Sequence, residues 1–335
     1  MNKIDFEMWK QALSTVPKVS KTQWFELDIV AKWLLSTRAA VLIMTLMAAI
    51  LAGLIAWRDG AFNFPVWSIA TLGLIFAHAT NNLLNDLIDS KKGIDKNNYY
   101  RNQYGIHVIE DKLLTPTQFW QYLSVTGVIA IACGLWLVYE RSGLTLNLML
   151  AGAFFVLFYT WPLKYYGLGE PAVLLVWGPL MIGGTYYVTA GEWSWPVTYL
   201  SIMFALGPTT VLFGKHTDKL KNDKEKGVNT LPVILGERLS RQCVKAMMIM
   251  QYVLPIVLVV LGVFHWALLI VLLNAITLSK VINVFNHPKP DSCPDDYPTD
   301  SWPLWFAAHA FSHNRTYSAL FLVGVLVDVL VKVSV

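Results

Sequence analysis

Two clusters of acidic and amide side chains have residue types and spacings that are suited to chemistry. The first cluster places four polar residues at positions i, i+3, i+4 and i+7, namely Asn82, Asn85, Asp86 and Asp89. This spacing predicts that all four lie on one face of a helix. Carboxylate and amide oxygens with no nearby thiol suit a hard cation, Mg²⁺ first. Gly93 allows a turn through which Asp95 would reach back to the same site.

The position of the first cluster favours a bound cation over the alternative, a helix end that is merely solvated. Acids at the C-terminal end of a helix are disfavoured by the helix dipole. The cluster also ends a long apolar run, and polar groups at membrane depth tend to face a polar cavity.

The second cluster follows another apolar run and contains Asp218, Asn222 and Asp223 among five lysines. Asp218 and Asn222 are spaced i, i+4, so they share a helix face. Lysines among acids fit a polyanionic ligand, and a diphosphate held by Mg²⁺ and lysine has that character. A solvated mixed-charge loop is the alternative. We expect the two clusters to face each other across one cavity.

The elements that position these clusters are predicted to be membrane-spanning helices. The chain has 335 residues, of which 55% are apolar and 14% are charged. Too few charges remain for an ordinary soluble surface, and disordered and coiled-coil classes are excluded. Backbone groups in a bilayer must bond internally, so the spans should be helices in an all-α bundle. Nine spans are predicted, at 39–57, 66–88, 118–139, 143–161, 168–190, 195–214, 242–262, 265–285 and 316–333.

The basic residues predict the orientation. With the N-terminus in the cytoplasm, the inner segments hold 23 of the 26 lysines and arginines, a strong positive-inside signal. We expect a cytoplasmic segment 1–38, then one membrane domain over 39–335, in a bacterial inner membrane. The long inner loops are predicted at 89–117, 215–241 and 286–315, which places any chemistry at the cytoplasmic face.

A family resemblance rests on three stretches of sequence. Asn85-x-x-x-Asp89 with Asp95 beyond, paired with Asp223-x-x-x-Gly227-x-x-Thr230, resembles the acidic motifs of UbiA-type membrane prenyltransferases. The third stretch is Leu163-Lys-Tyr-Tyr-Gly-Leu-Gly-Glu170, followed by Trp177-Gly-Pro179 and Gly184-Thr-Tyr-Tyr187. It looks like the menaquinone-pathway branch, the dihydroxynaphthoate polyprenyltransferases. The resemblance covers about residues 38–236.

The resemblance implies a site that binds Mg²⁺ and the diphosphate of an isoprenoid donor. The implied metal ligands are Asn85, Asp86, Asp89, Asp95, Asp218 and Asp223. The implied catalytic residues are Asp89, Asp223 and Lys164. The expected substrate-binding residues are Asn82, Lys91, Arg101, Lys164, Tyr165 and Asn222.

The second motif departs from the family pattern, which has two acids four residues apart and an asparagine four residues earlier. Position 219 is lysine, Asp218 precedes Asp223 by five residues, and Gly214 stands in place of the asparagine. Two explanations stay open at this point. Either the helix end contains a one-residue bulge, or Asn222 replaces one acid.

The implied reaction is ionisation of a prenyl diphosphate followed by attack of an aromatic acceptor, with dihydroxynaphthoate the leading case. An apolar cavity would shield the allylic cation from water, and membrane lipid would surround the isoprenoid tail. No nucleic-acid or protein partner is predicted. A UbiA-type terpene cyclase and, less favoured, an ion-coupled transporter are the alternatives.

Other polar residues have simpler interpretations. His309 and His313 at i, i+4 have no third metal ligand nearby, so residues 301–315 are predicted to form an amphipathic interfacial cap. Asp328 and Lys332 at i, i+4 predict a local ion pair. The three cysteines show no metal spacing and imply no disulfide framework.

Overall fold

The protein is helical throughout the part that the computed structural model describes, which is residues 4–15, 17–96 and 106–333. Fifteen α-helices within these ranges are joined by turns and short 3-10 or π segments. The β-structure found there is one isolated bridge between Tyr166 and Asn229. The all-α prediction is therefore confirmed.

The first of two compact units comprises Met1–Met47 and Ser68–Trp161. Its helices, with two that continue beyond it, are α1 (Phe6–Ser14), α2 (Lys21–Glu26), α3 (Ile29–Ser36), the start of α4 (Ala39–Arg58), most of α5 (Phe64–Lys91), α6 (Pro116–Glu140) and α7 (Thr145–Phe158). Thr115 begins α6 with a reciprocal capping box to Gln118 and a proline at the first helical position.

The N-terminal helices belong to the core of this unit. Trp24 is buried in one apolar cluster with Leu83 of α5 and Phe119 of α6. The Asp28 carboxylate begins α3 and also accepts hydrogen bonds from the Asp5 amide and the Trp9 indole, each at 3.0 Å. Burial raises the pKa of Asp28, but its hydrogen bonds outweigh burial and hold the pKa below its usual value. The described part of the segment 1–38 is thus packed against the helices that follow it.

The second unit comprises Ala48–Trp67 and Pro162–Val335. Its further helices are α8 (Gly169–Leu175), α9 (Gly184–Ala190), α10 (Trp195–Asp218), α11 (Leu220–Glu225), α12 (Leu231–Leu235), α13 (Glu237–Val260), α14 (Ala275–Asn286) and α15 (Trp305–Val333). A π segment, Val176–Gly183, contains Pro179 and joins α8 to α9. A 3-10 segment, Trp266–Asn274, precedes α14.

Seven helices among the described residues are long and apolar enough to cross a membrane. They cover seven of the nine predicted spans. The other two predicted spans are also helical: α5 has 28 residues and carries the first polar cluster, and α7 has 14 residues. The chain is an integral membrane protein, and the count of nine spans stays a prediction.

The last helix begins earlier than expected. Residues 305–315 continue directly into the span as part of α15, so the predicted interfacial cap is wrong for them. His313 is buried, and its Nε2 lies 2.8 Å from the Tyr252 hydroxyl. The Asn274 amide donates to that hydroxyl and to the His313 carbonyl. These bonds give the His313 Nε2 and the Asn274 amide nitrogen partners inside the helical bundle, although hydropathy alone assigns such residues to the surface.

The predicted local pair of Asp328 with Lys332 is also wrong. The Asp328 carboxylate instead lies 3.1 Å from Arg58 at the end of α4. Lys332 pairs with Asp59 at 3.4 Å, and the Tyr186 hydroxyl donates to the same carboxylate. Arg58 therefore ties the end of α4 to α15, because its guanidinium contacts the Asp328 carboxylate on α15 and the neighbouring Asp59 carboxylate at the same time.

Helix α10 should be intolerant of a side chain at Gly207. A Cβ atom there would lie 1.7 Å from the Asn314 side-chain oxygen and 3.2 Å from the Gln251 amide nitrogen. Gly207→Ala should lower the free energy of unfolding by about 2 kcal/mol, since the packed interior must shift. Gly152→Ala on α7 is the matched control, because nothing lies within 4 Å of its Cβ position. Equal thermal unfolding midpoints for both variants in detergent would contradict this packing.

Candidate functional site

The first cluster lies on one helix, as predicted. Asn82, Asn85, Asp86 and Asp89 all fall within α5. Two of them face the junction between α3 and α4: the Asn82 amide donates to the Thr37 carbonyl at 2.8 Å, and Asp86 pairs with Arg38 at 3.2 Å. Arg38 also donates to the Asn82 carbonyl and adopts a positive φ of 54°. Asn82 and Asp86 thus hold a tight bend in the chain.

The remaining residues of the first cluster face elsewhere. The Asn85 amide donates to the Thr160 hydroxyl at 3.2 Å. Asp89 is buried, and its backbone carbonyl accepts from Ile94 after Gly93 reverses the chain at φ 71°. The Asp95 carboxylate lies 2.9 Å from His107 Nε2. The turn at Gly93 is as predicted, and a convergence of Asp95 with the other acids on a metal stays a prediction.

Lys91 and Arg101 are the two basic residues near the first long loop that are predicted to contact phosphate. Lys91 is exposed at the end of α5, with its Nζ 5.9 Å from the centre of the Trp120 ring. Such an ammonium is available to an anion near the helix end. Arg101 lies outside the described residues.

The second unit buries Lys164 and, separately, a carboxylate–imidazole pair formed by Glu170 and His216. Lys164 is buried, with its Nζ 5.7 Å from the centre of the Tyr165 ring. A Cβ at Gly169 would lie 3.5 Å from the Lys164 Cα, an ordinary contact distance, so the two segments are close neighbours. Glu170 Oε1 lies 2.6 Å from His216 Nδ1, which links the start of α8 to the end of α10. The second Glu170 oxygen is buried with no hydrogen-bond donor.

Asp218 ends α10 and is bonded to another helix. Its two carboxylate oxygens accept from the backbone N–H groups of Phe306 and Ala307, both at 3.0 Å. Lys289 Nζ lies 3.5 Å from the same carboxylate. Burial lowers the pKa of Lys289, an effect that the Asp218 carboxylate opposes. The position of Asp218 as a metal ligand stays a prediction, and its oxygens have other partners in this structure.

The rest of the second cluster lies on a separate short helix. The chain leaves α10 at Lys219, whose φ and ψ of −98° and 6° interrupt the helix, and α11 follows. Lys219 pairs with Asp223 at 3.3 Å, and the Asp223 side chain is 3% exposed. The sequence leaves two explanations for the five-residue spacing of Asp218 and Asp223, a one-residue bulge at the helix end or Asn222 in place of one acid. The helix end is irregular, but the irregularity is a break at Lys219 and not a bulge.

The oxygen donors of Asn222 and Asp223 fit a hard cation that completes its coordination shell with phosphate oxygens and water. The Asn222 side-chain oxygen is buried and has no hydrogen-bond donor. An unpartnered buried oxygen is costly, and a cation next to it would satisfy it. Within the described part of either unit, no three His, Cys, Asp or Glu side chains gather as a metal site. Mg²⁺ commonly takes one or two carboxylates and completes its shell with substrate phosphates and water, which suits such a set.

Several partners of the predicted residues were missed at the sequence level. Arg38, His107, His216 and Lys289 are not among the site residues that the sequence predicts. A buried acid requires a counter-charge, so each acid signals that a partner exists. The identity of the partner depends on tertiary structure.

Comparison with known proteins identifies the family and the fold of this chain. Residues 46–310 match the profile of the UbiA prenyltransferase family. The chain is 25% identical over 260 residues to a 2-carboxy-1,4-naphthoquinone phytyltransferase from Synechocystis sp., covering 75% of this chain and 80% of that protein. It is 28% identical over 237 residues to the 1,4-dihydroxy-2-naphthoate octaprenyltransferase of Escherichia coli, covering 68% and 73%.

A solved structure has the same fold. A UbiA homolog from Archaeoglobus fulgidus, bound to GPP and Mg²⁺, superposes with a TM-score of 0.53 at 11% identity. The superposition covers 84% of this chain and 98% of the other.

The Arg38–Asp86 pair should be a strong stabilising contact. Arg38→Gln leaves the Asp86 carboxylate, which is 2% exposed, without its cation. We expect a loss of about 3 kcal/mol in the free energy of unfolding. Adding Asp86→Asn should recover more than half of that loss, because the uncompensated charge is removed. A thermal unfolding cycle of the two single variants and the double variant measures the coupling, and additive effects would contradict it.

Proposed function

The chain belongs to the UbiA prenyltransferase family, and from this premise we propose that it transfers an isoprenoid chain from a prenyl diphosphate to an aromatic acceptor within the membrane. Dihydroxynaphthoate, in menaquinone biosynthesis, is the leading acceptor. The observation that carries the proposal is the buried Asp223 beside the unpartnered buried oxygen of Asn222, in a unit that also buries Lys164. Buried oxygen donors and a buried ammonium are what a magnesium diphosphate requires.

The relatives support an aromatic acceptor. The Synechocystis and Escherichia coli proteins are named as transferases that act on naphthoquinone or naphthoate compounds. The Archaeoglobus structure holds GPP and Mg²⁺, which supports a prenyl diphosphate donor and a magnesium requirement.

In each cluster, two residues are proposed as Mg²⁺ ligands. Asn85 and Asp89 serve in the first cluster, and Asn222 and Asp223 serve in the second. Asp86, Asp95 and Asp218 are left out of this proposed set, because Arg38, His107 and the start of α15 engage their carboxylates. Asp223 is kept although Lys219 lies 3.3 Å from one of its oxygens, because Asp223 adjoins Asn222, whose buried oxygen has no donor. Bound Mg²⁺ supplies Lewis-acid neutralisation of the charge on the departing diphosphate.

The chain's own residues supply the remaining chemistry. The Lys164 ammonium offsets the negative charge that grows on the diphosphate as the allylic C–O bond breaks and its electron pair leaves with oxygen. The ring of Tyr165 lies beside that ammonium and lines the site. An aromatic carbon of the acceptor then bonds to the allylic carbon, and the acceptor loses a proton or its carboxyl group. The surrounding apolar helices exclude water during this step.

The proposal also includes the membrane in which the reaction takes place and the face at which the site lies. The 23 to 3 distribution of basic residues favours a cytoplasmic N-terminus and a site at the cytoplasmic face of a bacterial inner membrane. Asn82, Lys91 and Arg101 remain proposed contacts of the diphosphate region.

The activity can be tested with the purified full chain in nanodiscs. Prenyl diphosphates of several lengths are supplied with and without aromatic acids, and pyrophosphate release and lipid products are measured by mass spectrometry. We expect release to require the acceptor and the product to contain both parts. A cyclic product formed from the diphosphate alone would establish the cyclase alternative, and solute flux in proteoliposomes without any diphosphate would establish a transporter.

The two proposed carboxylate ligands should each be essential. Asp89→Asn and Asp223→Asn should each reduce Mg²⁺-dependent turnover at least about a hundredfold, since a charged ligand to the cation is lost. Thermal unfolding checks that both variants remain folded. Glu140→Gln makes the same change at an exposed carboxylate at the end of α6 and should leave turnover unchanged. Near wild-type turnover in either aspartate variant would reject that ligand.

A further inference from the structure

The carboxylate of Asp218 acts as the N-terminal cap of α15, a helix that begins at Trp305. The first N–H groups of a helix have no partner within it, and a negative charge there is favoured by the dipole. Both Asp218 oxygens are used in this way, on Phe306 and Ala307. The Asp218 side chain is fully buried. The end of α10 is therefore fixed to the start of α15.

Gly214 makes this contact sterically possible. A Cβ atom at position 214 would lie 2.9 Å from the Phe306 carbonyl carbon and oxygen and from the Ala307 nitrogen. These are backbone atoms and cannot move aside as a flexible side chain can. Glycine at this position and aspartate one turn later together seat α15 against α10.

Lys289 extends the contact to the segment 287–304, which links α14 to α15. Its Nζ lies within 3.5 Å of an Asp218 carboxylate oxygen and 3.4 Å of the Asp218 carbonyl, and it also donates to the Pro303 carbonyl. The same ammonium lies 5.1 Å from the centre of the Trp302 ring. The Lys289 backbone N–H donates to Glu237 at the start of α13. Lys289 thus joins both ends of the segment to the second cluster.

The short helix α11, which carries the proposed metal ligands, starts at Leu220, two residues after Asp218. Lys219 alone separates Asp218 from α11, and its carbonyl accepts from the Asp223 N–H at 2.8 Å. Any shift of Asp218 therefore changes where α11 leaves α10. A displacement of about 1 Å in a binding group is enough to change a rate substantially.

We propose that Lys289, acting through Asp218, is a positioning residue that sets α11 and its ligands Asn222 and Asp223 for the magnesium diphosphate. The segment 287–304 is then a structural part of the donor site. The expected effect of Lys289 on the kinetics rests on the proposed function. The structural link from Lys289 through Asp218 to α11 does not depend on that function.

The test compares Lys289→Gln with Lys289→Arg in the full chain. Lys289→Gln should raise the KM for the prenyl diphosphate and the Mg²⁺ concentration for half-maximal turnover by roughly tenfold, with a smaller change in kcat. Lys289→Arg keeps the charge and should recover most of both values. Lys280→Gln is the matched control, because Lys280 is exposed on α14, and it should leave both values unchanged.

A second measurement is independent of turnover. Hydrogen exchange followed by mass spectrometry, without metal or substrate, should show faster exchange over 219–229 in Lys289→Gln but not in Lys280→Gln. Unchanged exchange there, or a lower melting temperature with unchanged KM and Mg²⁺ dependence, would overturn the positioning role. If the wild type fails to transfer a prenyl group but the exchange difference is present, the proposed function fails while the link from Lys289 to α11 stands.

Discussion

A carboxylate buried at the end of a membrane helix must be met by a cation or by N–H donors, and that requirement organises both clusters. Asp86 is met by Arg38, Asp223 by Lys219, and Asp218 by the first N–H groups of α15. Leaving any of these charges unpaired in a low-dielectric interior is costly. Each acid therefore fixes a second element as well as offering oxygen ligands, and the geometry of the clusters is set before a ligand arrives.

The sequence is most informative where the relevant contacts are local. The i, i+3, i+4 and i+7 spacing correctly assigned Asn82 to Asp89 to one helix, and Gly93 correctly marked the reversal after it. Both depend on helix periodicity and on a positive φ, which a few neighbouring residues determine. The partners of these side chains were not predictable in the same way. Thr160 lies 75 residues from Asn85, and no short-range pattern connects the two.

The start of α15 shows how buried polar groups mislead a hydropathy-based interpretation. His309, His313 and Asn314 lower the apolar content of the segment, so the span was predicted to begin at 316. In the structure His313 is buried against Tyr252, and its helix reaches back to Trp305. The cost of a histidine inside a helical bundle is offset when a neighbouring helix supplies a hydroxyl. Hydropathy scores a residue alone and contains no information about that neighbour.

The departures of the second motif from the family pattern are physically connected. Glycine at 214 allows α15 to approach, aspartate at 218 caps it, and the chain breaks at 219 before resuming as α11. An asparagine at 214 would collide with the backbone at Phe306. The close approach of α15 therefore requires glycine at 214, and Asp218 satisfies the N–H groups that this approach brings near. Lys219 then neutralises Asp223 across one turn of α11. A divalent cation at Asp223, as proposed above, would share that carboxylate with the lysine, and such sharing favours a cation that arrives already bound to a diphosphate over a permanently resident ion.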